Sequence, residues 1–222
     1  MINLEKSLDF FDPSRDTSKI HIVGCGSVGS TVAENLARCG VTNFILWDFD
    51  EVEPHNIANQ MFVQKHVGMK KVDALEEILR DINPDVSVKK NPAGWQGEMM
   101  SGYIFLCVDS IDLRRQIVEQ HMDNEYVKAV FDFRTMLTGA YHYAADWSDT
   151  RGKSDLLKSM QYTSEESKDS VQLSACGVVL GVATTVRVIS AFGVNNYINF
   201  LKGEGIRKFI TADVFDFDVI AV

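Results

Sequence analysis

The chain has 222 residues, a formal net charge of −9 and 45% hydrophobic residues. That length and apolar fraction support a real buried core and exclude a fibrous or wholly disordered chain. The acidic balance argues against a general nucleic-acid binder, which would carry a basic face, yet a nucleotide site needs only two or three cations.

The opening stretch MINLEKSLDFFDP has no basic region followed by an apolar run, so it does not read as a signal peptide. No apolar stretch approaches the ~18 residues of a membrane span, and the cytoplasm is the expected location. Residues 19–23, KIHIV, predict a short buried strand. Over 28–39, Val28, Val32, Leu36 and Cys39 share one helix face, and Gly40 suits the position after the helix end. NFILWD at 43–48 predicts the second strand. The stretch FDEVEPHNIANQMF, with Pro54 and two asparagines, reads as irregular. Helical periodicity returns from Gly68 to Ile82 and stops at Asn83-Pro84. Strands follow at 86–90, at 103–109 (YIFLCVD, almost wholly apolar) and at 127–133, with a helix over 111–122.

Strands alternating with helices over the first 130 residues predict an α/β fold: a doubly wound, Rossmann-like, mostly parallel sheet with right-handed crossovers. The later chain changes character. GAYHYAADW at 139–147 predicts an antiparallel strand, residues 148–172 an exposed loop, 177–201 a long apolar helix, and FITADVFDFDV at 209–219 a final strand. One domain is expected over 1–222, with an N-terminal arm at 1–18, a nucleotide-binding half at 19–135 and a C-terminal half at 136–222. The cysteines are Cys25, Cys39, Cys107 and Cys176. None forms a CxxC pair, so no structural zinc is expected, and buried reduced thiols are the simplest reading.

The segment Gly24-Cys25-Gly26-Ser27-Val28-Gly29 is a GxGxxG between a strand and a helix. The first glycine permits the tight turn, the second lets a phosphate approach the backbone, and the third lets the helix pack on the sheet. Free amides and the helix dipole then favour an anion. Asp48, at the end of the second strand, suits ribose hydroxyls. Two classes share these features, a nicotinamide oxidoreductase and an ATP-dependent activating enzyme.

The residues downstream separate them. Asp48, Asp50, Val52, Asn56 and Gln60 are followed by Gly68, Lys71, Asn83-Pro84, and then Cys107-Val108-Asp109 with Arg114. In this order they resemble the E1-like activating enzymes of the ThiF, MoeB and HesA type, which serve sulfur carriers and ubiquitin-like proteins. The late segment CGVVLGVATTVRVISA is similar to that family's glycine-rich helix, so the resemblance runs from about 19 to 201.

The resemblance implies attack of a partner's C-terminal carboxylate on the α-phosphate of ATP, with pyrophosphate leaving. Lys71 would neutralise the phosphates, Asp109 would hold Mg²⁺, Asp48 and Asp50 would line the nucleotide site, and Asn56, Asn59 and Gln60 would flank the phosphates. The implied partner is a small ubiquitin-like or sulfur-carrier protein ending in Gly-Gly, with the segment 148–172 helping to clamp it. A homodimer is implied too. Each residue also has a plainer reading: Lys71 as a solvated helix lysine, Asp109 as a helix N-cap, and Arg114 as a surface partner of Asp112 or Glu119. Two departures stand out. Asn59 occupies the position where the family usually has arginine, and the zinc cysteines of many relatives are absent. Arg15 is the candidate for an arginine supplied to a neighbouring subunit. Cys176 lies about three residues from where sulfur-carrier activators place their transfer cysteine, so a buried thiol competes with a catalytic one. A catalytically weak ATP-binding scaffold is therefore the main alternative to an active adenylyltransferase.

Overall fold

The computed structural model describes residues 2–163, 166 and 180–222. Its sheet has eight strands in the order β3-β2-β1-β4-β5-β6-β7-β8. These are β1 (Ile20–Val23), β2 (Asn43–Trp47), β3 (Ser87–Asn91), β4 (Gly102–Leu106), β5 (Val127–Thr135), β6 (Gly139–Asp146), β7 (Phe209–Asp213) and β8 (Asp218–Ala221). The first five strands are mutually parallel, and β6, β7 and β8 continue antiparallel from β5. This is the doubly wound, Rossmann-like sheet with antiparallel C-terminal strands that the alternation predicts.

Strand alternation sorts the apolar side chains onto two faces. Ile20, Ile22, Phe44, Leu46, Phe105, Phe131 and Phe133 share one core with helices α1 (Ser27–Arg38), α2 (Lys71–Ile82) and α5 (Ala183–Leu201). Ile45, Trp47, Ile104, Leu106, Val130 and Ala145 form a second core against α3 (Ile111–His121) and α4 (Thr150–Lys158). Both faces are covered, which is why the parallel strands read as continuous apolar runs. Gly193 lets α5 lie directly on the sheet, since a Cβ there would come 2.1 Å from the Phe133 ring.

Two expectations need correction. Thr150–Lys158 is a helix and not part of an exposed loop. Asp149 caps it by accepting the Arg151 amide at 3.0 Å, and Gly152, Leu156 and Met160 recur every four residues to reach the core. The hydrophilic composition masked that spacing. Secondly, 209–219 is two strands rather than one. A turn over 214–217 separates β7 from β8, with Phe217 at φ 60° and the Asp213 carboxylate accepting the amides of Phe215 and Asp216. Of the expected helical pattern at 177–201, Ala183–Leu201 is helix and residues 180–182 are not; residues 177–179 and Cys176 lie outside the described residues.

The N-terminal arm runs along the end of the sheet where β1 begins. Asp16 accepts hydrogen bonds from Tyr103 Oη at 2.6 Å and Lys128 Nζ at 2.7 Å. Gly40, at φ 90°, sits where a Cβ would meet Leu4 at 2.5 Å.

Candidate functional site

Strand order reverses between β1 and β4, so the loops leaving their C-terminal ends part to opposite faces and open a crevice. The glycine loop leaves β1 there. Gly24 adopts φ 91°, and its amide donates to the Trp47 carbonyl at 2.8 Å. A Cβ on Gly24 would lie 2.8 Å from the Val108 nitrogen, so only glycine allows the loops after β1 and β4 to touch. A Cβ on Gly29 would lie 1.8 Å from the Gly24 carbonyl oxygen, so the first turn of α1 rests on the loop itself. Gly26 differs: a Cβ there would meet nothing within 4 Å. It is the N-cap of α1 and supplies no side-chain hydrogen bond, so the first amides of the helix lack a capping acceptor, the usual setting for a bound anion.

Asp48 ties this loop to β2. Its Oδ2 accepts the Cys25 amide at 2.6 Å and its Oδ1 the Asp50 amide at 2.8 Å. Burial pushes its carboxyl upward from the ordinary value, although the two amides and Lys71 pull the other way. Asp48 therefore shapes the loop as well as offering oxygens beside it.

Lys71 opens α2 and is buried, which overturns the reading of a solvated lysine. Its Nζ lies 2.7 Å from Asp50 Oδ2. Asn56 is buried in the short 3₁₀ turn Pro54–Ala58, its Oδ1 accepting the Glu53 amide at 2.9 Å. Gln60 donates its amide to the Asn56 carbonyl at 2.9 Å, while its own Oε1 is buried with no hydrogen-bond partner. Asn59 Nδ2 makes a long 3.5 Å hydrogen bond to the Gly181 carbonyl.

Asp109 follows β4 and is exposed, with no side-chain partner among the described residues. It is not the cap of α3: Ser110 is, accepting the Leu113 amide at 3.2 Å. The plainer reading of Arg114 also fails. Arg114 is buried, pairs with Asp132 and donates to the carbonyls of Leu106 and Val108, while Asp112 pairs with Arg115. Asp132 and Arg134, which complete this cluster, were not singled out from the sequence; two charges at alternate positions within the apolar run of β5 were the available signal.

Arg15 lies on an exposed 3₁₀ turn, Pro13–Arg15, ahead of β1 and so at the end of the sheet away from the glycine loop. The fold does not bring it to the other site residues of its own chain. Cys25 and Cys107 flank the loop from within the core, where burial pushes both thiols up. No group of three or more His, Cys, Asp or Glu suited to a metal occurs among the described residues.

The fold and this loop define a doubly wound α/β protein whose crevice lies at the β1/β4 switch point. The chain belongs to the ThiF family, which matches residues 14–221. Among curated proteins it is similar to the ubiquitin-like modifier-activating enzyme 5 of Branchiostoma floridae, 49% identical over 80 residues, which is 36% of this chain and 19% of that protein. The enzyme of the same name from Xenopus laevis is 49% identical over 71 residues, covering 32% of this chain and 18% of its own length. The matched stretch thus spans about a fifth of these relatives' length. Among solved structures, PaaA superposes with a TM-score of 0.73 at 18% identity, covering 95% of this chain and 65% of its own. E. coli MccB, crystallised with AMPCPP and MccA, superposes with a TM-score of 0.71 at 16% identity over the same shares. At these identities the structural likeness establishes the fold. No described helix is long and apolar enough to cross a membrane.

Proposed function

We propose that this protein is an ATP-dependent adenylyltransferase that activates the C-terminal carboxylate of a small ubiquitin-like or sulfur-carrier protein ending in Gly-Gly, releasing pyrophosphate. The observation that carries this reading is the meeting of an open anion seat at Gly26 with an unpartnered Asp109 across the same crevice, the two loops touching at Gly24 and Val108. The family and the relatives named for activating ubiquitin-like modifiers support it. So does MccB, crystallised with ATP and, separately, with AMPCPP and MccA.

The residues fit Mg-ATP. Mg²⁺ takes few protein ligands and fills its octahedron with water and phosphate oxygens, so one accessible carboxylate serves. When bound, it would spread the charge of the phosphates. The orphaned Gln60 Oε1 is an acceptor lacking a donor, as a residue facing a hydrated nucleotide would be. In this reading Asp48 receives the ribose hydroxyls, the amides at Gly26 and Ser27 hold phosphate oxygens, and Lys71 offsets their charge. Asn56, Asn59 and Gln60 flank the phosphates without adding charge. The incoming carboxylate and the α-phosphate are both anions, so charge neutralisation and alignment do most of the work. No nucleophile from the protein is required. In a homodimer, Arg15 of a second copy would be the cation that Asn59 does not supply.

ATP–pyrophosphate exchange with candidate carrier proteins tests the reading. Exchange should require both carrier and Mg²⁺, and Asp109→Ala should abolish it. Full exchange in that variant would remove Asp109 from the site. Asn59 favours a second reading, an ATP-binding scaffold partnered with another E1-like chain, for which ATP would bind and no carrier would support exchange. Stabilisation by NADH and none by ATP would instead favour a nicotinamide oxidoreductase.

A further inference from the structure

β5 carries charge where its neighbours are apolar. Asp132 is fully buried between Phe131 and Phe133, and Arg134 follows on the same side of the strand. One oxygen of Asp132 pairs with Arg114, and the other accepts from Arg134 Nε at 2.7 Å. Two guanidinium groups thus share one carboxylate, with no second acid among the described residues. Arg114 also donates to the carbonyls of Leu106, at 3.2 Å, and Val108, the residue before Asp109. At the other end, the Arg134 guanidinium lies 4.3 Å over the Tyr143 ring. It donates to the Ser159 carbonyl and to Ser159 Oγ, both at 2.8 Å, at the C-cap of α4.

A buried ion cluster is weak support for stability, because well-packed apolar residues would serve as well; its best-attested use is to specify geometry. Here the specified geometry is the turn before Asp109. Arg114 keeps the Val108 carbonyl pointing inward, which fixes the peptide plane from which Asp109 projects. Arg114 can do so only while Asp132 offsets its charge and holds its fork, and Arg134 aims Asp132 in turn.

We propose that Asp132 and Arg134 are positioning residues of the nucleotide site, acting through Arg114 to hold Asp109 where it binds Mg²⁺ against the phosphates. This rests on the Mg-ATP reading above. Mg²⁺ demands near-ideal octahedral geometry, so a small rotation of the Asp109 turn weakens metal-dependent binding while leaving the rest of the nucleotide contacts in place.

The test is calorimetric titration of the whole protein with ATP, once in excess Mg²⁺ and once in EDTA. The quantity read is the ratio of the two dissociation constants. In the unaltered protein, binding should tighten with Mg²⁺, and in Asp109→Ala the ratio should approach one. Arg134→Gln should lower the ratio by about tenfold, as loss of outer-shell support does at metal sites. Arg134→Lys, which keeps the charge but not the fork, should fall between. Ser159→Ala, which removes one anchor of Arg134, carries the test if the buried substitutions do not fold. A purely structural role would lower the melting temperature and leave the ratio unchanged, which overturns the proposal while the Mg-ATP reading stands. Absence of Mg²⁺-dependent ATP binding in the unaltered protein would overturn both.

Discussion

Lys71 and Asp50 are latched together twice: Lys71 Nζ lies 2.7 Å from Asp50 Oδ2, and the Lys71 amide donates to the Asp50 carbonyl at 3.0 Å. The start of α2 is thereby pinned to the chain leaving β2, and a buried ammonium is held beside the glycine loop with a carboxylate that is half exposed. In the proposed Mg-ATP reading, the open carboxylate side would let incoming phosphates take over the lysine without exposing it.

Removing the ammonium should cost more than removing its partner. Lys71→Met should weaken ATP binding by at least about tenfold, equivalent to ~1.4 kcal/mol. Asp50→Asn should weaken it less. Titration calorimetry decides this, and an unchanged affinity in Lys71→Met would take the lysine out of the phosphate site.

The glycines of the loop should separate folding from binding. Gly29→Ala drives a methyl into the Gly24 carbonyl, 1.8 Å away, and should destabilise the protein by ~3 kcal/mol or more or prevent folding. Gly26→Ala meets nothing and should melt within about 1 kcal/mol of the unaltered protein, yet its methyl occupies the anion seat and should abolish ATP binding. Melting curves with and without ATP distinguish the two. Tight ATP binding by Gly26→Ala would place the phosphates elsewhere.

Restoring the family's arginine should raise activity. Among the described residues the Asn59 side chain makes only a long contact with the Gly181 carbonyl, so Asn59→Arg gives up little there and adds a cation beside Gln60. Exchange rates should rise about tenfold, equivalent to the ~1.4 kcal/mol of a modest charge-assisted contact. A rate that falls would indicate that Asn59 itself contacts the nucleotide.

Acid should weaken the fold through its buried histidines. His21, His121 and His142 are buried, and each has one ring nitrogen donating to a backbone carbonyl and the other accepting an N–H. The acceptors of Trp47 Nε1, the Met100 amide and Asn196 Nδ2 would each have to be protonated against a facing donor. Burial pushes His21 and His142 down to about 4, from an ordinary 6.5. The unfolded chain therefore binds more protons between these values, and stability present above pH 6.5 is lost as the pH falls towards 4, about 3 kcal/mol for each histidine at the limit. Asp48, raised by burial, acts in the opposite sense. The melting temperature should drop on the order of 10 °C between pH 7 and pH 5. A flat profile would mean that these rings are not held neutral.

Much of this protein was determined locally and so was legible along the chain. The glycine loop, the strand before it and the helix after it are adjacent residues obeying periodic rules, and the apolar strands announced a sheet covered on both faces. The order of Asp48, Asp50, Asn56, Gln60, Lys71 and Asp109 was enough to point to the family. The fate of each charge was not legible, because that depends on what is packed against it. Lys70 and Lys71 are neighbours in sequence, yet Lys71 is buried against Asp50 and Lys70 is left at the rim with Glu51. Arg114 and Arg115 diverge likewise, one into a buried cluster with Asp132, the other to Asp112 and the chain after α4. Burial removes water as the alternative partner, so a charge's role follows from contacts between residues far apart in sequence, such as Arg114 with Asp132. Only the folding of β4, β5 and α3 onto one another creates that contact.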